Sequence, residues 1–216
     1  MNLLSTPAAR VLAFASSTPG LGRIEMTAGP SIQVHPLTPE RWDHLVQLFG
    51  AHGASSGCWC MWWRQTASEF AAKAGEKNRE EFRAIVASER VPGLLAYEKG
   101  VPVGWCSIGP REDFGRLNRS PTLKRVDDSP AWSIVCFYIK PRSRGKGVGA
   151  ALLQAAVAHA VSRGASVVEG YPLDESTGPV TNAGAFTGVL AMFREAGFKE
   201  VARRSARRPI MRREIS

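Results

Sequence analysis

Ala131 to Gly149 reads AWSIVCFYIKPRSRGKGVG, an apolar run that passes directly into a basic, glycine-rich turn and then a helix. Ile134, Val135, Phe137, Tyr138 and Ile139 are β-branched or aromatic, the composition of a short strand buried on both faces. Pro141 ends it. Arg142, Arg144 and Lys146 then interleave with Gly145, Gly147 and Gly149. Backbone N–H groups can approach a ligand there without a Cβ in the way, while cations surround it. From Val148 the period becomes helical: Leu152, Leu153, Ala156, Val157 and Ala160 recur at three- and four-residue spacing. The free N–H groups and positive dipole end of that helix face the glycine turn. A diphosphate is the natural occupant.

The kind of diphosphate follows from what the motif lacks. No G-x-x-x-x-G-K-[ST] run is present, because Lys146 is followed by Gly147 and no Ser or Thr is placed to hold magnesium. A dinucleotide site is disfavoured too, since cations precede and interrupt the glycines and no ribose-reading acid follows at the required distance. A glycine-rich connection that binds nothing is the plain alternative.

The spacing Arg142-x-x-Gly145-x-Gly147 resembles the acyl-coenzyme A signature Q/R-x-x-G-x-G/A of the GNAT acetyltransferases. The resemblance extends through GCWCMWWR (Gly57 to Arg64), PGLLAYEKGVPVGWCSIGPR (Pro92 to Arg111), VEGYPLD (Val168 to Asp174) and AMFREAGFKEV (Ala191 to Val201), in the family's order. It covers nearly everything after Ile32 and looks like a bacterial subgroup. It implies an α/β fold whose mixed, mostly antiparallel central sheet is flanked by helices and contains two splayed parallel strands. It also implies acetyl-CoA as co-substrate, an amine acceptor and no metal. The pantetheine would lie in the splay between Trp132 to Ile139 and Val167 to Tyr171, against backbone groups of Phe137 and Ile139. With Tyr138, Arg142, Arg144, Gly145, Lys146, Gly147, Val148 and Gly149, these residues form the expected coenzyme site.

Composition agrees with one cytoplasmic domain. The 216 residues can bury a full core, and 44% hydrophobic with 22% charged is ordinary for a globular protein. No stretch reaches transmembrane length. Residues 1–30 differ: they are rich in Ala, Ser, Thr, Pro and Gly and carry only Arg10, Arg23 and Glu25 as charges. They are expected to form a flexible leader to a domain at 31–216, and a start at Met26 would account for them. Four cysteines without a spacing framework read as reduced thiols, and His52, Cys58 and Cys60 lack a second ligand pair for a structural zinc.

The periodicity predicts a first strand from Ser31 to Val34 and a helix capped by Thr38 with Trp42, Leu45, Val46 and Phe49 inward. A second helix runs from about Glu76 to Glu89, carrying Phe82, Ile85 and Val86. Gly93 to Glu98 and Val101 to Ile108 make a hairpin about Lys99-Gly100. Pro110 to Asp128 reads as a polar loop with five cations, Arg111, Arg116, Arg119, Lys124 and Arg125. Beyond the coenzyme helix come a strand at Ser166 to Tyr171, a helix at Ala183 to Ala196 closed by Gly197, and strands at Phe198 to Ala202 and Arg208 to Glu214.

Acyl transfer to an amine needs a deprotonated nucleophile, a stabilised oxyanion and a protonated thiolate leaving group. The central strand holds no carboxylate, so Glu169 and Asp174 are the better bases; the alternative for Glu169 is a surface or salt-bridged strand residue. The family pattern puts an Asn and a proton-donating Tyr before the final Gly-Phe, where this chain has Phe186 and Phe193. Phe193 is then a pantetheine contact, and Tyr171 or Tyr138 the remaining donor. Trp59, Trp62 and Trp63 suit either packing or an acceptor wall.

The net charge of +9 raises a nucleic-acid binder as rival, with Arg203, Arg204, Arg207, Arg208, Arg212 and Arg213 near the end. No aromatic stacking pattern accompanies them. An acyl-CoA-responsive binding module without catalysis is a third reading. Nothing in the residues specifies the acceptor, the acyl length or a homodimer.

Overall fold

The computed structural model describes residues 32–181 and 184–215, so the leader expected at 1–30 lies outside the described residues. The first strand, β1, is Gln33–Pro36, two residues later than the sequence suggests. Thr38 leads a 3₁₀ turn, Pro39–Arg41, and its hydroxyl accepts from the Arg41 guanidinium rather than from a backbone N–H. The helix proper, α1, is Trp42–Phe49.

A short helix that periodicity alone does not reveal, α2, follows at Ala67–Lys73. Its signal is a capping box: the Thr66 hydroxyl accepts from the Glu69 amide at 3.2 Å, and a Glu69 carboxylate oxygen accepts from the Thr66 amide at 2.8 Å. Helix α3 is Glu76–Ala87, with Phe82 and Val86 buried. Strands β2, Gly93–Glu98, and β3, Val101–Pro110, meet at Lys99 and Gly100, which both have left-handed φ angles, +50° and +77°, as a primed hairpin turn requires.

The segment 110–128 is not simply a polar loop. It contains a 3₁₀ turn, Arg111–Asp113, and helix α4, Gly115–Arg119, and it buries Phe114, Leu117 and Leu123. Strand β4 is Trp132–Ile139, helix α5 Val148–Ser162 and strand β5 Val167–Gly170. The helix expected from 183 to 196 is shorter, because Gly188, at φ +83°, separates a 3₁₀ turn, Ala185–Thr187, from α6, Leu190–Glu195. Gly197 closes α6 as expected: its amide reaches the Arg194 carbonyl and the Phe198 amide the Phe193 carbonyl, both at 3.0 Å. Strands β6, Lys199–Ala202, and β7, Ile210–Glu214, complete the chain.

The seven strands form one sheet in the order β1-β2-β3-β4-β5-β7-β6. Every neighbouring pair is antiparallel except β4 and β5. Helix α5 covers one face, setting Leu152, Leu153, Ala156, Val157 and Ala160 against Leu94, Ile108, Ile134 and Val168. The other face is covered by Trp42, Leu45 and Phe49 of α1, Phe82 of α3, and Trp59, Cys60 and Met61, packed on Leu95 and Trp105. A third apolar group, Trp63, Phe114, Leu117, Val135 and Tyr171, adjoins that second layer. No helix among the described residues is long and apolar enough to cross a membrane.

Candidate active site

Strands β4 and β5 run together for only three pairs, Trp132 with Val168, Ser133 with Glu169 and Ile134 with Gly170. At the next position β4 bulges. On the β3 side Ile108 pairs with Ile134 and Ser107 with Cys136, so Val135 is the extra residue. A bulge bends its strand and sharpens the local twist, which here turns β4 away from β5. Phe193 holds the gap from one side. It packs against Gly170, where a Cβ would come within 2.0 Å of its ring, and it meets Phe137 edge-on at 6.3 Å. Beyond β5, Leu173 bridges to Val189 and its carbonyl accepts from the Leu190 amide at 2.9 Å, which ties the chain to the start of α6.

The bulge also sorts side chains between the two faces. Ile134, Phe137 and Ile139 pack toward α5, whereas Val135, Cys136 and Tyr138 pack toward the aromatic layers opposite. Phe137 and Phe193 are buried, and Tyr138 and Ile139 are half-buried. Phe193, expected as a contact, is fully enclosed and so shapes the gap from beneath its surface.

The glycine turn lies at the end of β4. Gly145 and Gly147 have φ of +71° and +81°, and Gly147 is the N-cap of α5 without a side-chain cap. The first amide bonded back is that of Ala151, to the Gly147 carbonyl at 3.0 Å, which leaves those of Val148, Gly149 and Ala150 without a helical acceptor. Arg142, Arg144, Gly145, Lys146 and Gly147 are exposed, whereas Val148 is buried and ties the turn to the core. Gly149 is half-buried beside Met192 and Ile139. Arg144 folds back, donating from Nε to the Ile139 carbonyl at 3.0 Å.

Beneath the point where the strands part lies a buried polar network that sequence reasoning only partly anticipates. Glu169 is 2% exposed, with both oxygens engaged. Its Oε2 accepts from Arg111 Nη1 at 3.2 Å and from the Tyr171 hydroxyl at 2.9 Å, and its Oε1 from Arg212 Nε and Nη2 at 3.2 and 2.8 Å. Four donors fill the four lone-pair directions of a carboxylate. Glu169 is therefore the salt-bridged strand residue, with no lone pair open to an amine.

Tyr171 is also fully buried. Its hydroxyl lies 2.9 Å from Ser133 Oγ and accepts from Arg111 Nη1. Burial, and then the Glu169 charge, push this phenol well above its ordinary range, so it keeps its proton. Arg212 also binds Asp127, whose carboxyl it holds well below the usual carboxylate range.

On the second face, Trp59 and Cys60 adopt left-handed φ angles of +42° and +60°. This turn puts Cys60 Sγ 3.1 Å from Trp105 Nε1. Hydrogen bonding from Cys136 outweighs burial and, with Ser107, Trp105 and the Arg64 charge, brings the Cys60 thiol down to about 7. Cys58 is pushed up to about 11, by burial first and then by Cys60. All four cysteines are free, and among the described residues no cluster of His, Cys, Asp and Glu is placed to hold a metal ion. Trp63 stacks on Phe186 at 6.1 Å, so that aromatic of the block lies beside the gap. Trp62 is at the surface under the Arg116 guanidinium, 3.7 Å from its ring centroid.

The terminal arginines are largely committed within the protein. Arg203 binds Asp174 and Glu200, Arg204 the carbonyls of Lys124 and Arg125, Arg207 that of Pro179, Arg208 that of Tyr171 and Arg213 that of Ala196. The same tie removes Asp174 from the bases, since Ser176 and Arg203 hold its carboxylate. Arg64, Arg111, Ser133 and Arg212 were not singled out as site residues by the sequence, because nothing local distinguishes them from other polar residues in loops and strands.

Comparison with solved structures finds the same fold. A GNAT-family acetyltransferase from Listeria monocytogenes superposes with a TM-score of 0.54 at 10% identity, covering 87% of this chain and 97% of that one. Histone acetyltransferase HPA2 and related acetyltransferase from Corynebacterium glutamicum gives 0.50 at 18%, covering 86% and 97%. The NatC complex bound to Gag peptide and CoA gives 0.50 at 12%, covering 86% and 99%. No curated protein matches. The model of the Acetyltransferase (GNAT) family matches residues 58–172, more than half of the chain and the stretch that carries β2 through β5 with the glycine turn, and this protein belongs to that family.

Proposed function

We propose that this protein is a cytoplasmic N-acetyltransferase that moves an acetyl group from acetyl-CoA directly to an amine. The observation that carries the reading is the opening between β4 and β5, three pairs from its start, with an exposed basic glycine turn and the free amides of α5 at its end. The diphosphate sits on the amides from Arg144 to Gly149, ringed by Arg142, Arg144 and Lys146. The pantetheine lies along the unpaired edge of β4 at Phe137 and Ile139, and the thioester reaches the Val135 bulge. Such a coenzyme is present in the NatC complex, which shares the fold. Four free cysteines suit a reducing compartment.

The amine enters from the face of Cys136, Tyr138 and Trp63. Its nitrogen bonds to the thioester carbon, the carbon–sulfur bond breaks, and the proton lost by nitrogen ends on sulfur. Tyr171 keeps its proton, which it donates to Glu169 in the free protein and turns to the departing sulfur once the thioester is bound. Glu169 and Arg111 position that hydroxyl, and an amine already deprotonated in solution needs no residue to act as base.

A specific observation favours a second reading, an acyl-CoA-binding module without turnover: Glu169 is fully engaged and Tyr171 fully buried. Release of free thiol from acetyl-CoA across a panel of amines, with mass spectrometry of the products, separates the two. Amine-dependent thiol release with an N-acetyl product supports the transferase; tight acetyl-CoA binding with no product from any amine supports the module.

A further inference from the structure

Arg64 is enclosed yet incompletely bonded. Its side chain is 7% exposed, its Nη1 lies 3.4 Å from Asp113 Oδ2, and its guanidinium stands 4.7 Å above the Phe114 ring centroid. Its Nε and Nη2 are buried without a hydrogen-bond partner among the described residues. These two atoms form one side of the guanidinium, with parallel N–H bonds that match a planar carboxylate. The same side of Arg212 serves a carboxylate elsewhere in the protein, its Nε and Nη2 both donating to Glu169 Oε1.

The unpaired fork of Arg64 is not isolated. Seven buried side-chain polar atoms lack a partner among the described residues, and five of them are donors on Trp63, Arg64, Arg111 and Arg116. The four residues are joined to one another and to the gap. The Arg116 amide donates to the Trp63 carbonyl, Trp63 shares its apolar group with Val135 and Tyr171, and Arg111 binds Tyr171. Buried donors left unmade are costly, and a concentration of them beside a reaction centre marks where an acceptor group belongs. Cys60, Asp113 and Arg90 lie within electrostatic reach of Arg64.

We propose that the acceptor amine carries a carboxylate, received by Nε and Nη2 of Arg64 on the side of β4 opposite α5. This rests on the transferase reading above and names its substrate class, an amino acid or an acidic peptide. Asp113 and the Phe114 ring hold the guanidinium in place, so the fork is set before the ligand arrives.

The test uses the whole chain. Thiol release from acetyl-CoA is measured for free amino acids against their carboxamides and their decarboxylated amines. A second arm uses peptides with an acidic side chain against the corresponding amides, which separates a small molecule from a peptide. The expected result is a kcat/KM about 100-fold higher for the carboxylate member of a productive pair. Arg64→Lys, which keeps the charge but not the fork, should erase that difference while acetyl-CoA affinity by calorimetry is retained.

If no amine is turned over, the transferase reading fails separately, and the fork is read by binding alone. N-acetyl amino acids should then raise the melting temperature of the wild type more than their carboxamides do, and Arg64→Lys should lose that preference. Equal response to both members of every pair in the wild type overturns the proposal, whether or not the variant folds. So does a carboxylate preference that survives in Arg64→Lys, which would leave Cys60 as the partner of the guanidinium.

Discussion

Arg212 Nη2 lies 2.8 Å from Glu169 Oε1, and on the other side of the same carboxylate Arg111 Nη1 lies 3.2 Å from Oε2. One buried anion thus separates two buried cations. Glu169→Gln keeps the shape of the side chain but removes the charge. Leaving a buried ion pair without one partner costs about 3–5 kcal/mol. For a chain of this size the melting temperature should fall by about 6–20 °C. Acetyl-CoA affinity, proposed to be set at the glycine turn, should stay within about twofold of wild type. Calorimetric melting and titration check both, and a Gln variant as stable as wild type would contradict the role given to this pair.

Gly147 offers a cleaner probe of the coenzyme site. A Cβ there meets nothing within 4 Å, so the protein itself does not exclude a side chain. The φ of +81° does disfavour a branched one, by roughly 1–2 kcal/mol. Gly147→Val should lose acetyl-CoA affinity by more than about 100-fold while remaining folded, because its side chain enters the path of the phosphates. Gly147→Asn, which tolerates the left-handed region, should match wild type in melting temperature and still bind less tightly. Calorimetry that shows wild-type affinity in a folded Gly147→Val protein would move the site elsewhere.

For Tyr171 the expected signature is kinetic. Tyr171→Phe removes the hydroxyl shared by Ser133, Arg111 and Glu169 and should lower kcat by about tenfold to a hundredfold, leaving KM for acetyl-CoA unchanged. Equal kcat in the two proteins would exclude Tyr171 from the departure of sulfur. The fall in kcat should also show no shift along the pH axis below pH 9, since the phenol stays protonated throughout.

His159, in the last turn of α5, predicts a pH dependence of stability. Burial, then Arg163, holds its imidazole below the ordinary histidine value, and it stands edge-on to Trp132 at 5.8 Å. The unfolded chain therefore takes up a proton near pH 6.5 before the folded protein does. The stabilisation is complete above that pH and is lost as pH falls toward the lower folded value. Denaturant melts between pH 7.5 and 5.0 should show a slope that His159→Gln reduces. An identical slope in both proteins would assign the effect to other groups.

The parts of the fold legible in the sequence are those whose cause is local. The Lys99-Gly100 turn, β4 from Trp132 to Ile139 and the apolar stripe of α5 each follow from a few neighbouring residues, and the structure keeps them. Helices α2 and α4 span fewer than two full turns, too short for a period to emerge, although Thr66 and Glu69 announce the first. The polar reading of 110–128 fails because Arg111, counted as a solvated cation, spends its guanidinium on Glu169, Tyr171 and the Leu123 carbonyl. Those contacts join strands and loops up to 60 residues apart. No spacing rule tells which of five loop cations will travel inward to meet one strand carboxylate. The glycine turn was readable because its cations and free amides are consecutive in sequence; the face of Cys136, Tyr138 and Trp63 was not, because its residues converge only after folding.

The extra residue at Val135 gives β4 a counting rule. Upstream of it, positions obey the pleat set by the partnership with β5; downstream, the same alternation restarts one step out of phase. Removing Val135 would therefore leave Phe137 and Ile139 facing α5 and Cys136 and Tyr138 facing the opposite layer, but it would straighten β4 and let it continue beside β5, closing the gap. Surface connections elsewhere in the chain can gain or lose residues without disturbing the chemistry. The number of residues from Trp132 to Pro141 cannot, and relatives that bind coenzyme in the same manner should vary in what these positions hold but not in how many there are.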